Sequence, residues 1–108
     1  IYVSDVYPET VDYGTETEVT LNIHSDFEAK DVEIYAKKIG TINIESLTNS
    51  ELVSFRTDSK NLISGLNIKI IYKDESGKEH EIERVYPIIV KNVPFYAKIA
   101  ASIKEAFQ

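Results

Sequence analysis

The chain has no cysteine, no methionine and no tryptophan, and only three prolines and four glycines in 108 residues. Without cysteine there is no disulfide and no thiolate metal site, so packing alone must hold the fold. Zero cysteine suits the cytosol and a prokaryotic cell surface alike. With no methionine, and Ile1 at its head, the chain reads as an excised domain or a processed product. Long apolar runs are missing too. None approaches the roughly 20 residues that span a bilayer, and a signal or anchor outside these residues stays open. No Asn-x-Ser/Thr sequon occurs at Asn22, Asn43, Asn49, Asn61, Asn67 or Asn92, which counts against a glycosylated surface protein. Positive charge is scarce, with 12 basic against 18 acidic residues and a net charge of −6. That balance disfavours nucleic acid and anionic membranes, and fits a cationic or neutral partner better.

What is present reads as one globular domain, 43% apolar and 28% charged. Usage leans to Ile, Glu and Lys with a single Gln, Gln108. Hyperthermophile proteins share that bias, and an A/T-rich genome would favour Ile and Lys as well.

Apolar residues alternate in short runs separated by turn residues, the period of strands with one buried and one wet face. Ile1 to Tyr7 reads as a first strand ended by Pro8, which cannot donate to a ladder. Val11 to Gly14 reads as a turn. Thr17 to Ser25 is a strand with Val19, Leu21 and Ile23 on one face; residues 25–30 read as a polar loop. Asp31 to Lys38 alternates again, with Val32, Ile34 and Ala36 inward and Tyr35 outward. Gly40 breaks the pattern, and Ile42 and Ile44 mark a shorter strand. Thr48-Asn49-Ser50 reads as a turn before Val53 and Phe55, and Asp58 to Gly65 as a loop. Leu66, Ile68, Ile70 and Tyr72 then share a face. Asp74-Glu75-Ser76-Gly77 is the best hairpin signal, with Gly able to take a positive φ. The return strand runs from Lys78 to about Val90; its alternation slips between Ile82 and Val85, which predicts a bulge, and Pro87 predicts an edge position or that irregularity.

From Pro94 the period changes. Phe95, Ile99, Ile103 and Phe107 recur every four residues, which predicts an amphipathic helix of about four turns. Six or seven strands at spacings of roughly ten residues predict an antiparallel sandwich. The expectation is all-β: a sandwich over residues 1–92, and a helix over 93–108 that packs on it or leads to the next segment. The absence of βαβ alternation excludes a doubly wound sheet.

The segment from Tyr13-Gly14-Thr15 to Asn22-Ile23 resembles the strand-B region of prokaryotic, notably archaeal, immunoglobulin-like surface modules of the CARDB and S-layer-associated type. Ala29 to Ile34, Ile39-Gly40-Thr41-Ile42 and Ile68 to Gly77 resemble later strands of the same module, over about residues 3 to 90. The resemblance implies an immunoglobulin-like sandwich of about seven strands in an extracellular or cell-surface protein, with a spacer or adhesion role.

Chemistry-bearing patterns are few. His24 and His80 would join in a metal site only if their strands pair and further ligands converge; surface histidines are the favoured reading. Asp26, Glu28, Asp31 and Glu33 offer oxygen ligands, but the spacing of a calcium loop is absent, and a solvated acidic loop is favoured. Glu79, Glu81 and Glu83 line one face of a strand. Their charges protect an edge from pairing with another chain, or offer a docking face to a basic partner. No serine lies in Gly-x-Ser-x-Gly, and there is no phosphate loop. The sequence therefore predicts no enzyme and no cofactor. It predicts an interaction or spacer module whose partners are other domains of the same polypeptide or a surface protein, with a membrane reached only through an outside anchor. An accessory, carbohydrate-contacting domain of a secreted hydrolase is the alternative. The stripe Phe95, Ile99, Ile103 and Phe107 either caps the sandwich or forms an interaction face.

Overall fold

The computed structural model describes residues 1–94. Of the helix expected over 93–108, Val93 and Pro94 are described and have no regular secondary structure, while the part with Phe95, Ile99, Ile103 and Phe107 lies outside the described residues. Strands make up 72% of the described residues, which are all-β as their alternation demands. Seven strands follow in order: β1 (Tyr2–Tyr7), β2 (Thr10–Asp12), β3 (Glu16–Ala36), β4 (Gly40–Asp58), β5 (Leu66–Lys73), β6 (Glu79–Tyr86) and β7 (Ile89–Lys91). A single 3-10 turn, Ser59–Leu62, links β4 to β5.

The expected loop over 25–30 and the expected turn at 48–50 both lie inside strands. β3 pairs antiparallel with β4 along almost its whole length, from Glu16↔Asp58 to Ala36↔Gly40. The register shifts once, where Ser25↔Asn49 gives way to Ala29↔Leu47. Three residues of β3 there oppose one of β4, a bulge that bends the ladder. Its polar letters disguised a continuing inward phase. Ser25 and Ala29 are buried and Phe27 packs against the core, while Asp26, Glu28 and Lys30 point out. Ser25 Oγ donates to the Phe27 carbonyl at 2.7 Å, which satisfies the buried hydroxyl within the bulge. The phase then steps at Asp31 (φ 49°), after which Val32, Ile34 and Ala36 face inward. Asn49 takes a left-handed φ of 66° opposite the bulge, a conformation Asn tolerates better than most residues.

The bend divides the sheet. β1 pairs with the first half of β3 at Tyr2↔His24 through Tyr7↔Thr20. β5 pairs with the second half, from Lys30↔Lys73 to Ala36↔Ile68, and β6 follows β5. One half of the sheet therefore holds β1, residues 16–25 and residues 49–58. The other holds residues 40–47, residues 29–36, β5 and β6. The halves face one another. A Cβ placed on Gly40 would sit 3.9 Å from Phe55 Cδ1, although a straight strand would separate these positions by about 50 Å. Val19, Leu21, Ile23, Val32, Ile34, Leu62, Leu66 and Ile68, each at most 1% exposed, form one core with Phe55.

The chain crosses between the halves at Pro8. β1 lies in the first half, while β2 pairs in parallel with β7, the continuation of β6, at Thr10↔Ile89 through Asp12↔Lys91. The expected turn at 11–14 is thus confined to Tyr13-Gly14. The expected bulge between Ile82 and Val85 does not exist, since β6 keeps an unbroken register with β5 from Leu66↔Tyr86 to Lys73↔Glu79. The slip in alternation is an apolar residue on the wet face: Val85 is 58% exposed. The break falls at Pro87 instead, between β6 and β7, where a missing amide donor ends the ladder.

Candidate interaction face

The outer surface of the four-strand half gathers charge of one sign. Antiparallel register sets Asn43, Glu33, Ile71 and Glu81 side by side in one row, and Thr41, Tyr35, Lys69 and Glu83 in the next. Asp31, Glu45, Lys73 and Glu79 extend it toward the bend. Six carboxylates thus share one surface with two lysines, and most of the chain's net −6 resides there. An open concavity of about 630 Å³ lies among them, lined by Asp31, Glu33, Glu45, Glu79, Lys73 and Tyr72 with several neighbours.

Both lysines are held. Lys69 Nζ lies 2.9 Å from Glu81 Oε1, and Lys73 Nζ 3.4 Å from Asp31 Oδ2. The hydrogen bond to Glu81 comes first in raising the Lys69 pKa, with the charge of Glu81 next. Tyr35 donates its hydroxyl to Glu33 Oε2 at 2.7 Å, and that bond is the main reason its phenol pKa rises. Cross-strand ion pairs thus engage Glu81 and Asp31, and a contact within β3 engages Glu33.

Next to it, the β5–β6 hairpin is closed by one carboxylate. Asp74 Oδ1 accepts from Ser76 N at 2.9 Å, Ser76 Oγ at 2.6 Å and Lys78 N at 3.0 Å. Asp74 Oδ2 lies 2.7 Å from His80 Nε2, and the His80 ring stacks on Tyr72 at 5.2 Å. The hydrogen bonds of Ser76, then of His80, hold the Asp74 carboxyl well below the usual carboxylate range. Gly77 supplies the positive φ, 85°, that the turn pattern anticipated.

The remaining singled-out residues do not converge. β5 lies between β3 and β6, so the strands of His24 and His80 do not pair. Nor does His80 sit with Glu79, Glu81 and Glu83; it alternates to the other face. Of the acidic run, Asp26 meets His24 at 2.9 Å, Glu28 meets Lys30 at 3.8 Å, Asp31 meets Lys73 and Glu33 meets Tyr35. Among the described residues, no three His, Asp or Glu stand so as to hold a metal ion. Phe95, Ile99, Ile103 and Phe107, the expected interaction stripe, lie outside the described residues.

Sequence reasoning missed one row on the opposite half. His24 Nδ1 lies 2.9 Å from Ser50 Oγ, and His24 Nε2 2.9 Å from Asp26 Oδ1, with the Tyr2 ring 5.1 Å from the imidazole. The row spans an exposed strand surface, where Asp26 is 85% exposed. Only the β3–β4 register could have shown that Ser50 stands opposite His24.

These features define an all-β, mainly antiparallel domain with one acidic sheet face. No protein-family model, no curated protein and no solved structure matches the chain. Among the described residues no helix is long and apolar enough to cross a membrane.

Proposed function

We propose that this chain is an immunoglobulin-like sandwich that serves as a non-catalytic interaction or spacer module. The grouping of three strands against four, with the first strand crossing between them at Pro8, supports the immunoglobulin-like reading. The interaction reading rests on a single observation: six carboxylates gathered on one sheet face. Charge concentrated so strongly on one side steers association with a partner of opposite sign. The family resemblance adds that the module belongs to a larger prokaryotic surface or secreted protein.

Photo-crosslinking residues at Asn43 and Asn67, on the four-strand half, against controls at Thr20 and Ser54 on the other, test the interaction reading in the source cell. A partner protein captured from Asn43 and Asn67 alone is the expected result. Capture from neither pair, or equally from both, would discard it. Fractionation that leaves the full-length protein in the cytosol would end the surface assignment.

A second reading has its own support. Tyr2, 52% exposed, stands beside His24, and Tyr7, 72% exposed, stands opposite Thr20 further along the same strand pair, an aromatic and polar surface suited to sugar rings. Binding on a glycan array, abolished by Tyr2→Ala with Tyr7→Ala, would favour an accessory carbohydrate-contacting domain.

A further inference from the structure

β6 is an outermost strand of the sheet among the described residues. It is also regular, since every residue from Glu79 to Tyr86 pairs with β5 without a register shift. A strand paired on one side leaves a row of amides and carbonyls directed outward, a template for another strand. The other edges serve less well. β1 carries a register shift between Val3 and Asp5 and ends at Pro8. β4 bends at Asn49, and the outward row of its longer unbroken stretch, Ser50, Leu52, Ser54, Arg56 and Asp58, mixes charges of both signs.

Side chains decide what the β6 edge accepts. Glu79, Glu81 and Glu83 alternate along one face, and Val85, 58% exposed, continues it. A second copy added antiparallel about Glu81 would set Glu81 against Glu81 and Glu79 against Glu83. Like charges directly opposed destabilise such a pair. The edge is thereby closed to its own kind and complementary to the reverse charge. One side-chain contact to the backbone here, Arg84 Nη1 to the Glu83 carbonyl at 2.8 Å, is exposed and displaceable.

We propose that β6 is a strand-addition site for an extended cationic segment of the pattern aliphatic-x-Lys/Arg-x-Lys/Arg-x-Lys/Arg, running antiparallel to it. The aliphatic residue lies beside Val85, and the cations lie beside Glu83, Glu81 and Glu79 in turn. Main-chain hydrogen bonds supply affinity and the alternating charges supply register and selectivity. Glu81 already shares Lys69 at 2.9 Å, so Glu79 and Glu83 carry more of the selectivity. The proposal rests on the interaction-module reading and names the chemistry of its partner.

The test titrates the full 108-residue chain, isotopically labelled, with a short Leu-Thr-Lys-Thr-Lys-Thr-Lys peptide and follows backbone amides. Shifts and slowed amide exchange centred on β6 are expected. The combined Glu79→Gln, Glu81→Gln, Glu83→Gln variant, altered only at surface positions, is expected to bind about tenfold more weakly, from three lost cross-strand charge pairs. An isomer with contiguous lysines, and a peptide N-methylated on the amides facing β6, are expected to lose the β6 signature. Equal binding by the N-methylated peptide would mean charge attraction without strand addition and would overturn the proposal. So would shifts centred elsewhere, or unchanged affinity in the triple variant. A partner captured at Asn43 and Asn67 while the peptide leaves β6 untouched would reject strand addition alone. Peptide addition at β6 with no cellular partner captured would reject the module's interaction role alone.

Discussion

Gly40 and Phe55 lie on one strand, yet a Cβ on the first would touch the ring of the second at 3.9 Å. The fold thus brings the buried Phe55 ring beside the start of its own strand. Phe55→Ala is expected to cost about 3 to 5 kcal/mol, the usual penalty for emptying a buried aromatic site. Gly40→Ala adds a methyl at ordinary contact distance and is expected to stay within about 0.5 kcal/mol of the parent. Urea midpoints for both variants check the pair; a mild Phe55→Ala would mean the core between the halves does not depend on this ring.

Two glycines with positive φ are expected to respond differently. At Gly77 (φ 85°) a Cβ would meet nothing within 4 Å, so Gly77→Ala brings backbone strain alone, about 1 kcal/mol. At Gly65 (φ 90°) a Cβ would fall 2.9 Å from Val85 Cγ1 and 3.1 Å from the Tyr86 carbonyl. Gly65→Ala therefore adds a clash and is expected to lose about 2 to 3 kcal/mol. Shaving Val85 to Ala in the same chain should recover part of that loss in a thermal melt, and no recovery would refute the clash.

Ser59 is fully buried, and its hydroxyl joins two backbone segments. It donates to the Asp12 carbonyl at 2.6 Å and accepts from Thr15 N at 3.1 Å. Ser59→Ala leaves both groups without this partner, and the expected loss is about 1 to 3 kcal/mol. Faster hydrogen exchange at the Thr15 amide would locate the effect.

Asn22 presents the opposite case. Its Oδ1 is buried without a hydrogen-bond partner, a standing desolvation cost in the middle of β3. Asn22→Val removes that oxygen and adds a strand-favouring side chain, so stability is expected to rise by about 1 kcal/mol. A drop in the urea midpoint would show that the amide makes a contribution its geometry does not reveal.

The hairpin at Asp74 sets a pH dependence. Hydrogen bonds from Ser76 and His80 depress the Asp74 pKa in the folded chain. A depressed carboxylate contributes stability above its unfolded pKa, about 3.9, and that contribution is lost as pH falls from there toward the folded value. Asp74→Asn is expected to narrow the gap in denaturant midpoint between pH 7 and pH 3. An unchanged gap would remove Asp74 from the acid response.

Much of the inward-facing set was legible in the chain. Val19, Leu21, Ile23, Val32, Ile34, Leu66, Ile68 and Ile70 are buried where alternation put them, because period two ties sequence parity to one face of a strand. The hairpin at 74–77 was legible for a similar local reason: Asp and Gly supply the turn's hydrogen bonds and its positive φ. Segments 25–30 and 48–50 were misread because both are rich in turn-forming letters. In β3, Phe27 and Ala29 hold the bulge to the core, and that anchoring depends on packing partners rather than on local preference.

The class, the inward residues and the excess of acid follow from the order of the residues alone, since alternation, turn chemistry and charge are properties of near neighbours. It took the folded chain to show that two long strands bend and fold back, that Ser50 meets His24, and that six carboxylates from separate strands share one face. Those are consequences of register, which joins residues far apart in the chain and is fixed by which strands pair and how the core closes.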